Sequence, residues 1–184
     1  MGINNQNEQI EKLIEYFQKG LNHKAEKLAV AIVKDFPNYQ LVWKLLGILY
    51  GQKGMKSEAL YANQKAVKLA PNDAESLCNL ASTYYELGRL EESVVSYKNA
   101  ITMKVNFTEA YSNLGKVLHD LNRYDEAEEN CKYAIKIKPD FPEAHYNLGN
   151  ILLSQHRYED SVISFKEAIK LNPLYSEAFY NLGN

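Results

Sequence analysis

Apolar residues along this chain recur at helical spacing. Leu77, Leu80, Ala81 and Tyr84 stand at i, i+3, i+4 and i+7, and Leu114, Gly115 and Leu118 repeat the pattern one stretch later. Pro37, Pro71, Pro139 and Pro173 are separated by 34, 68 and 34 residues, so the chain is a repeat of period 34. A small-residue series keeps that period at Gly47, Ala81, Gly115, Gly149 and Gly183, where helices must approach closely. A second series, Gly20, Gly54, Gly88, Asn122 and His156, holds residue types that tolerate positive φ and predicts a left-handed turn. A third, Ala66, Ala100, Ala134 and Ala168, marks another crowded contact. Each unit therefore reads as helix, left-handed turn, helix. The residue after each proline position (Asn38, Asn72, Asn106, Asp140) is expected to N-cap the next helix. The units fall at 6–39, 40–73, 74–107, 108–141 and 142–175, with 176–184 opening a sixth, which predicts eleven helices.

Helix pairs of 34 residues with Leu-Gly in the first helix, Ala in the second and a closing Pro resemble the tetratricopeptide repeat (TPR). Tyr146-Asn147-Leu148-Gly149-Asn150, Tyr158, Ala168 and Pro173 all fall in register within one unit. The resemblance is strong from Gln40 onward and weak over 6–39, where Lys12 and Leu13 replace the small-residue pair and the unit reads as a degenerate N-terminal cap. It implies an all-α, right-handed α-solenoid, a superhelix of five full repeats plus one extra helix forming a single array over 1–184. In that family the first helices line a concave groove that holds other proteins. Stacking is also required physically, because one helix pair cannot cover its own apolar face.

Carried onto this chain, the family geometry puts Asn79, Asn113, Asn147 and Asn181 on one groove line, like the asparagine ladder in the TPR superhelix of the O-linked GlcNAc transferases. Such amides can give and accept hydrogen bonds along an extended peptide backbone. Glu75, Glu109, Glu143 and Glu177 repeat at another groove position, with Glu86 and Asp120 at a third, so the groove reads as acidic. Lys44 and Lys116 are the comparable basic residues. Tyr85, Tyr146 and Tyr180 offer apolar anchors and Asn150 a further polar contact, whereas Tyr50, Tyr84, Tyr97 and Tyr158 read as core or inter-repeat side chains. A carboxylate clamp is disfavoured, and a neutral or basic protein segment is the expected partner.

The composition agrees. Of the 184 residues, 46% are hydrophobic and 24% charged, which describes a globular chain. Lys+Arg 21 against Asp+Glu 23 leaves a net charge of −2 and no basic excess for nucleic acid. No stretch is long and apolar enough for a membrane span, and the start from Met1 to Glu8 lacks a signal pattern, so a cytoplasmic location is expected. Catalysis and cofactors are not expected. His23, His119, His145 and His156 recur at no metal-ligand spacing, and helix neighbours such as His119 and Asp120 project about 100° apart. Cys78 and Cys131 read as small apolar fillers. The reading is a non-catalytic interaction scaffold. One alternative is the recruiting arm of a longer enzyme (a glycosyltransferase, methyltransferase, sulfotransferase or hydroxylase) cut at Asn184. Another is self-assembly into homo-oligomers through an uncapped C-terminal end at Ala178, Phe179 and Leu182.

Overall fold

The structure, a computed structural model, describes residues 2–183; Met1 and Asn184, the outer limits of the expected array, lie outside the described residues. Among the described residues there are eleven helices and no strand: α1 (Gly2–Gln18), α2 (Asn22–Asp35), α3 (Gln40–Gln52), α4 (Lys56–Leu69), α5 (Ala74–Glu86), α6 (Leu90–Met103), α7 (Thr108–Asp120), α8 (Tyr124–Ile137), α9 (Pro142–Ser154), α10 (Tyr158–Leu171) and α11 (Ser176–Gly183). Helices α3, α5, α7, α9 and α11 begin on the residues where the 34-residue period starts its units. Only α1 departs, beginning before Gln6. The helices gather into two compact units, Met1–Arg89 and Leu90–Asn184.

In unit 1 each helix from α1 to α5 packs on the next, and α3 also touches α5; in unit 2 the same holds from α6 to α11, and α7 touches α9. Within unit 1 the first helices α3 and α5 thus lie beside one another, and within unit 2 so do α7 and α9. The turns have one form. Gly20, Gly54 and Gly88 take φ of 67°, 71° and 73°, and Asn122 and His156 take 57° and 60°. Around each, the next residue's N–H reaches back five residues, as Met55 N to Tyr50 O (2.9 Å) and Arg123 N to Leu118 O (2.9 Å), which is the Schellman closure of a helix end.

The small-residue series is steric. A Cβ on Gly149 would stand 2.6 Å from the Phe165 ring, one on Gly115 2.4 Å from Cys131 Sγ, and one on Gly47 2.0 Å from Asn63 Oδ1. Residues 63, 131 and 165 share one register of the second helix, so the first helix leaves room for whatever the second brings. The first unit reverses the sizes. Leu13 holds the glycine register and Ala29 the register of Phe165, and both are fully buried in the unit 1 core with Ile32, Val42, Leu46 and Leu49. The sequence departure at Lys12-Leu13 is therefore a redistribution of volume.

The expected caps are corrected. Cap positions fall one residue later, on Tyr39, Asp73, Phe107 and Phe141, and of these only Asp73 accepts a hydrogen bond from its helix. Its carboxylate takes Ser76 N (3.1 Å) and Ser76 Oγ (2.6 Å) and faces Lys44 Nζ (3.3 Å). Burial pushes the Asp73 carboxyl up, but the Ser76 hydroxyl and the Lys44 ammonium outweigh it and leave the group below its ordinary value. A carboxyl depressed on folding contributes stability above its unfolded pKa of about 4 and loses it as pH falls through the folded value. Asp73→Ala should cost about 1 kcal/mol at neutral pH. That difference from wild type should shrink as pH falls below the ordinary carboxylate range and the folded-state carboxyl is protonated, in urea titrations followed by circular dichroism.

Candidate functional site

Unit 2 holds a cleft of about 390 Å³ between α7, α9 and the start of α11. From α7 come Asn113, Lys116, His119 and Asp120; from α9 come Glu143, Tyr146, Asn147 and Asn150; Tyr175 and Glu177 close one end. The α9 set is spaced i, i+3, i+4, i+7 and so shares one helix face. Eight of the expected groove residues, Asn113, Lys116, Asp120, Glu143, Tyr146, Asn147, Asn150 and Glu177, are brought together here. Asn181 joins them through α11, and Glu109 stands exposed on α7 outside the lining. Tyr175 was not anticipated from sequence; its signal was the aromatic residue that ends most units, at Tyr39, Phe107, Phe141 and Tyr175.

Three carboxylates (Asp120, Glu143 and Glu177) and one ammonium (Lys116) line this cleft. The Tyr146 and Tyr175 rings stack with centroids 4.9 Å apart. Burial, then the Glu143, Tyr146 and Glu177 groups, push the Tyr175 hydroxyl well above its ordinary pKa, so it stays protonated.

Asn147 and Asn181 of the expected groove line make hydrogen bonds within the fold. Asn147 is 8% exposed, and its Nδ2 donates to Ser112 O (3.2 Å) and Ser112 Oγ (3.0 Å), tying α9 to α7. Asn181 Nδ2 donates to Asn150 Oδ1 (2.7 Å), so these two amides also pair across neighbouring first helices. The physical reason is reach: first helices lie near enough for an amide to meet its neighbour. Asn113 is half-buried in the cleft lining.

The remaining candidates belong to unit 1. Glu75 pairs with Lys44 Nζ (2.8 Å), and Tyr85 is half-buried near the end of α5. Asn79 lines a small cleft of about 180 Å³ with Gly47, Asn63 and Thr83. Burial lowers the Lys44 ammonium, but Glu75 and Asp73 more than offset it and hold the group above its ordinary value.

His119 and Asp120 are also a correction. His119 Nδ1 lies 3.2 Å from Asp120 Oδ1 and Nε2 lies 2.8 Å from Ser154 Oγ, because both side chains are long enough to curl together although their Cβ vectors diverge. A Ser–His–carboxylate line suggests acyl transfer, which needs N–H donors aimed at the developing oxyanion. Ser154 ends α9, where carbonyls are the orphan groups. The three N–H groups that follow it are engaged: Gln155 to Ile151 O, His156 to Leu153 O, Arg157 to Leu152 O. The contact reads as a tether between α7 and α9.

His145 Nε2 donates to Pro139 O (2.8 Å) as Trp43 Nε1 does to Pro37 O (2.7 Å) in the same register, so both rings anchor turns. Burial, then the Glu128 charge, push the Cys131 thiol up to about 12, far from a nucleophile's value. Cys78 is buried. Among the described residues no three His, Cys, Asp or Glu side chains are grouped to hold a metal ion, and no helix is long and apolar enough to cross a membrane. Tyr97 is buried as expected, but Tyr158 is 54% exposed and its hydroxyl meets His156 Nδ1 (2.8 Å).

The residues of the expected self-association end differ in exposure. Ala178 is fully buried against Phe165 and Ala168, and Leu182 packs on the same cluster, because α10 covers that face of α11. Phe179 is 51% exposed, and Tyr180 and Leu174, at 72% and 90%, are the more exposed apolar residues nearby.

Residues 81–122 and 115–155 match the TPR repeat, and residues 62–94 and 142–175 match the tetratricopeptide repeat. No curated protein matches the sequence. Among solved structures, MamA protein is similar at 23% identity over 96% of each chain, with a TM-score of 0.79. YrrB, described as a TPR protein with an unusual peptide-binding site, is 18% identical over 96% of this chain and 91% of its own, with a TM-score of 0.76. TTC0263, a thermophilic TPR protein in Thermus thermophilus, is 19% identical over 97% of each chain, with a TM-score of 0.78. The family matches span residues 62–175, well over half of the chain, and with the helix pairs, left-handed turns and close glycine contacts they place it in the tetratricopeptide repeat family.

Proposed function

We propose that this chain is a non-catalytic interaction module that holds an extended, neutral or basic protein segment in the cleft of unit 2. The observation that carries the reading is the lining itself, in which Asp120, Glu143 and Glu177 share one cleft with the tyrosine pair Tyr146 and Tyr175. Lysine or arginine side chains of a partner meet the carboxylates, their methylene stems lie on the rings, and the Asn113 amide takes a backbone group. The description of YrrB as having a peptide-binding site supports the reading by analogy of fold. Asn147, Asn150 and Asn181 act here by holding α7, α9 and α11 in place.

The partner contacts replaced by Asn113→Ala and Glu143→Gln are one hydrogen bond and one half-screened charge pair, together about 1.4 kcal/mol. Calorimetric titration of the full chain with a short peptide of alternating Lys and Ser is expected to give saturable binding about tenfold weaker in the double variant. Equal affinity in wild type and variant, or no saturable binding, would refute the cleft as the site.

A further inference from the structure

A second recess, of about 500 Å³, lies in unit 1 between the end of α2, the turn after it, α3 and α4. Its walls are apolar and aromatic, with Val33, Pro37, Trp43, Tyr61 and Leu69, and its rim carries Lys34, Lys65 and Lys68. Trp43 is fixed by its bond to Pro37 O and meets the Tyr61 ring edge-on, with centroids 5.7 Å apart at 80°. Tyr61, Lys65 and Lys68 stand at i, i+4 and i+7 on α4, which puts two ammonium groups beside an aromatic ring that is 54% exposed. Lys65 Nζ lies 5.4 Å from the Tyr61 centroid.

The charges decide what fits. Among the described residues none of these three lysines has a carboxylate at ion-pair distance, whereas Lys19, Lys44 and Lys53 of the same unit each have one. Asp35 follows Lys34 but lines a smaller cleft that adjoins the recess through Pro37 and Asn38, so three ammonium groups at the rim stand against one neighbouring carboxylate. Three like charges around an apolar hollow leave a positive field over a surface that water covers poorly. A partner gains most by filling the hollow with one bulky apolar side chain and setting carboxylates against the rim. Nucleic acid fits less well, because Trp43 and Tyr61 meet edge to face and give no parallel platform for stacked bases. A flat lipid surface cannot enter the recess.

We infer that this recess is a second docking site, for an acidic protein segment that carries a bulky apolar residue. It is opposite in charge preference to the cleft of unit 2 and does not depend on that reading. Trp43 is the chain's one tryptophan, so its emission reports this recess directly. The probe is a short peptide of Asp and Glu around a central Phe, titrated into the full chain. The expected result is a saturable change in Trp43 emission that weakens with added salt. It should be at least about tenfold weaker in Lys65→Glu/Lys68→Glu and unchanged in Asn113→Ala/Glu143→Gln. Lys65 is half-buried and Lys68 exposed, and neither is in an ion pair among the described residues, with helicity by circular dichroism as the check on the fold. Absence of a saturable change overturns the inference. So does equal binding of the peptide with Ala for Phe, which would mean charge attraction alone. Stronger binding of single-stranded RNA or of anionic vesicles would also overturn it, as would a concentration-dependent rise in size abolished by the lysine substitutions, which would assign the recess to a second copy of the chain.

Discussion

Phe165→Ala is expected to destabilise unit 2 by about 3–5 kcal/mol, the cost of removing a fully enclosed aromatic side chain whose surroundings cannot collapse. Phe165 is 1% exposed. Its ring lies against Gly149 on α9, 5.8 Å from the Tyr146 centroid, and forms one cluster with Ala168 and Ala178. Collapse is blocked because the space is bounded by backbone: the α9 main chain at Gly149 already stands as near as it can. Since Ala178 and Leu182 rest on this cluster, α11 should loosen with it, and hydrogen exchange in α11 should accelerate. Urea unfolding should show a lower midpoint at an unchanged slope. A loss below about 1 kcal/mol would mean that the site refills, contrary to the geometry. A double-mutant cycle sharpens the test: Gly149→Ala alone forces the ring aside and should destabilise, while Gly149→Ala with Phe165→Leu should recover part of the loss.

The second large effect has the opposite sign. Asn63→Leu is expected to stabilise unit 1 by about 2 kcal/mol. Asn63 is 2% exposed, and its Oδ1 is the one enclosed side-chain oxygen or nitrogen without a hydrogen-bond partner among the described residues. The amide cannot simply turn over. Thr83 Oγ1 donates to Asn79 O (3.0 Å) and therefore accepts from Asn63 Nδ2 (2.9 Å), which leaves the oxygen against Gly47. A buried acceptor without a donor costs about 1–3 kcal/mol, while the bond surrendered at Thr83 is worth about 1 kcal/mol. Leucine has the same branching and adds buried apolar surface. Asn63→Ala should instead destabilise, because it opens a cavity. A lower unfolding midpoint for Asn63→Leu would show that the oxygen has a donor in solution.

How much of this was legible in the sequence depends on which residues are considered. The left-handed turns were legible because Gly20, Gly54, Gly88, Asn122 and His156 all satisfy one backbone requirement that few residue types meet. The glycine series was legible for the same reason, in its steric form. The caps were not, since aromatic residues at Tyr39, Phe107 and Phe141 start helices without a side-chain hydrogen bond. Periodicity placed Asn113, Asn147 and Asn181 on one line but could not say which amides would reach a neighbouring helix. That depends on interhelical distance and rotamer. The contact of His119 with Asp120 and Ser154 escaped for a related reason, because an angular rule for Cβ directions says nothing of the reach of long side chains. The recess at Trp43 was hidden by its origin in three helices and a turn, where no single register carries the signal.

Where volume sits between paired helices also bears on inheritance. Gly149 and Phe165, Gly115 and Cys131, and Gly47 and Asn63 each lie 16 residues apart inside one 34-residue unit, and Leu13 and Ala29 keep that spacing with large and small exchanged. Lock and key therefore travel on the same stretch of coding sequence. Duplication or deletion of a whole unit carries both halves together, whereas a crossover in the turn between them is harmful where it joins the Leu13 helix to a second helix that carries Asn63, Cys131 or Phe165, for which Leu13 leaves no room. Recombination at unit boundaries keeps every pair matched, and mid-unit recombination is penalised by this geometry where the first unit takes part, so such an array can lengthen by whole periods while each period drifts to its own solution.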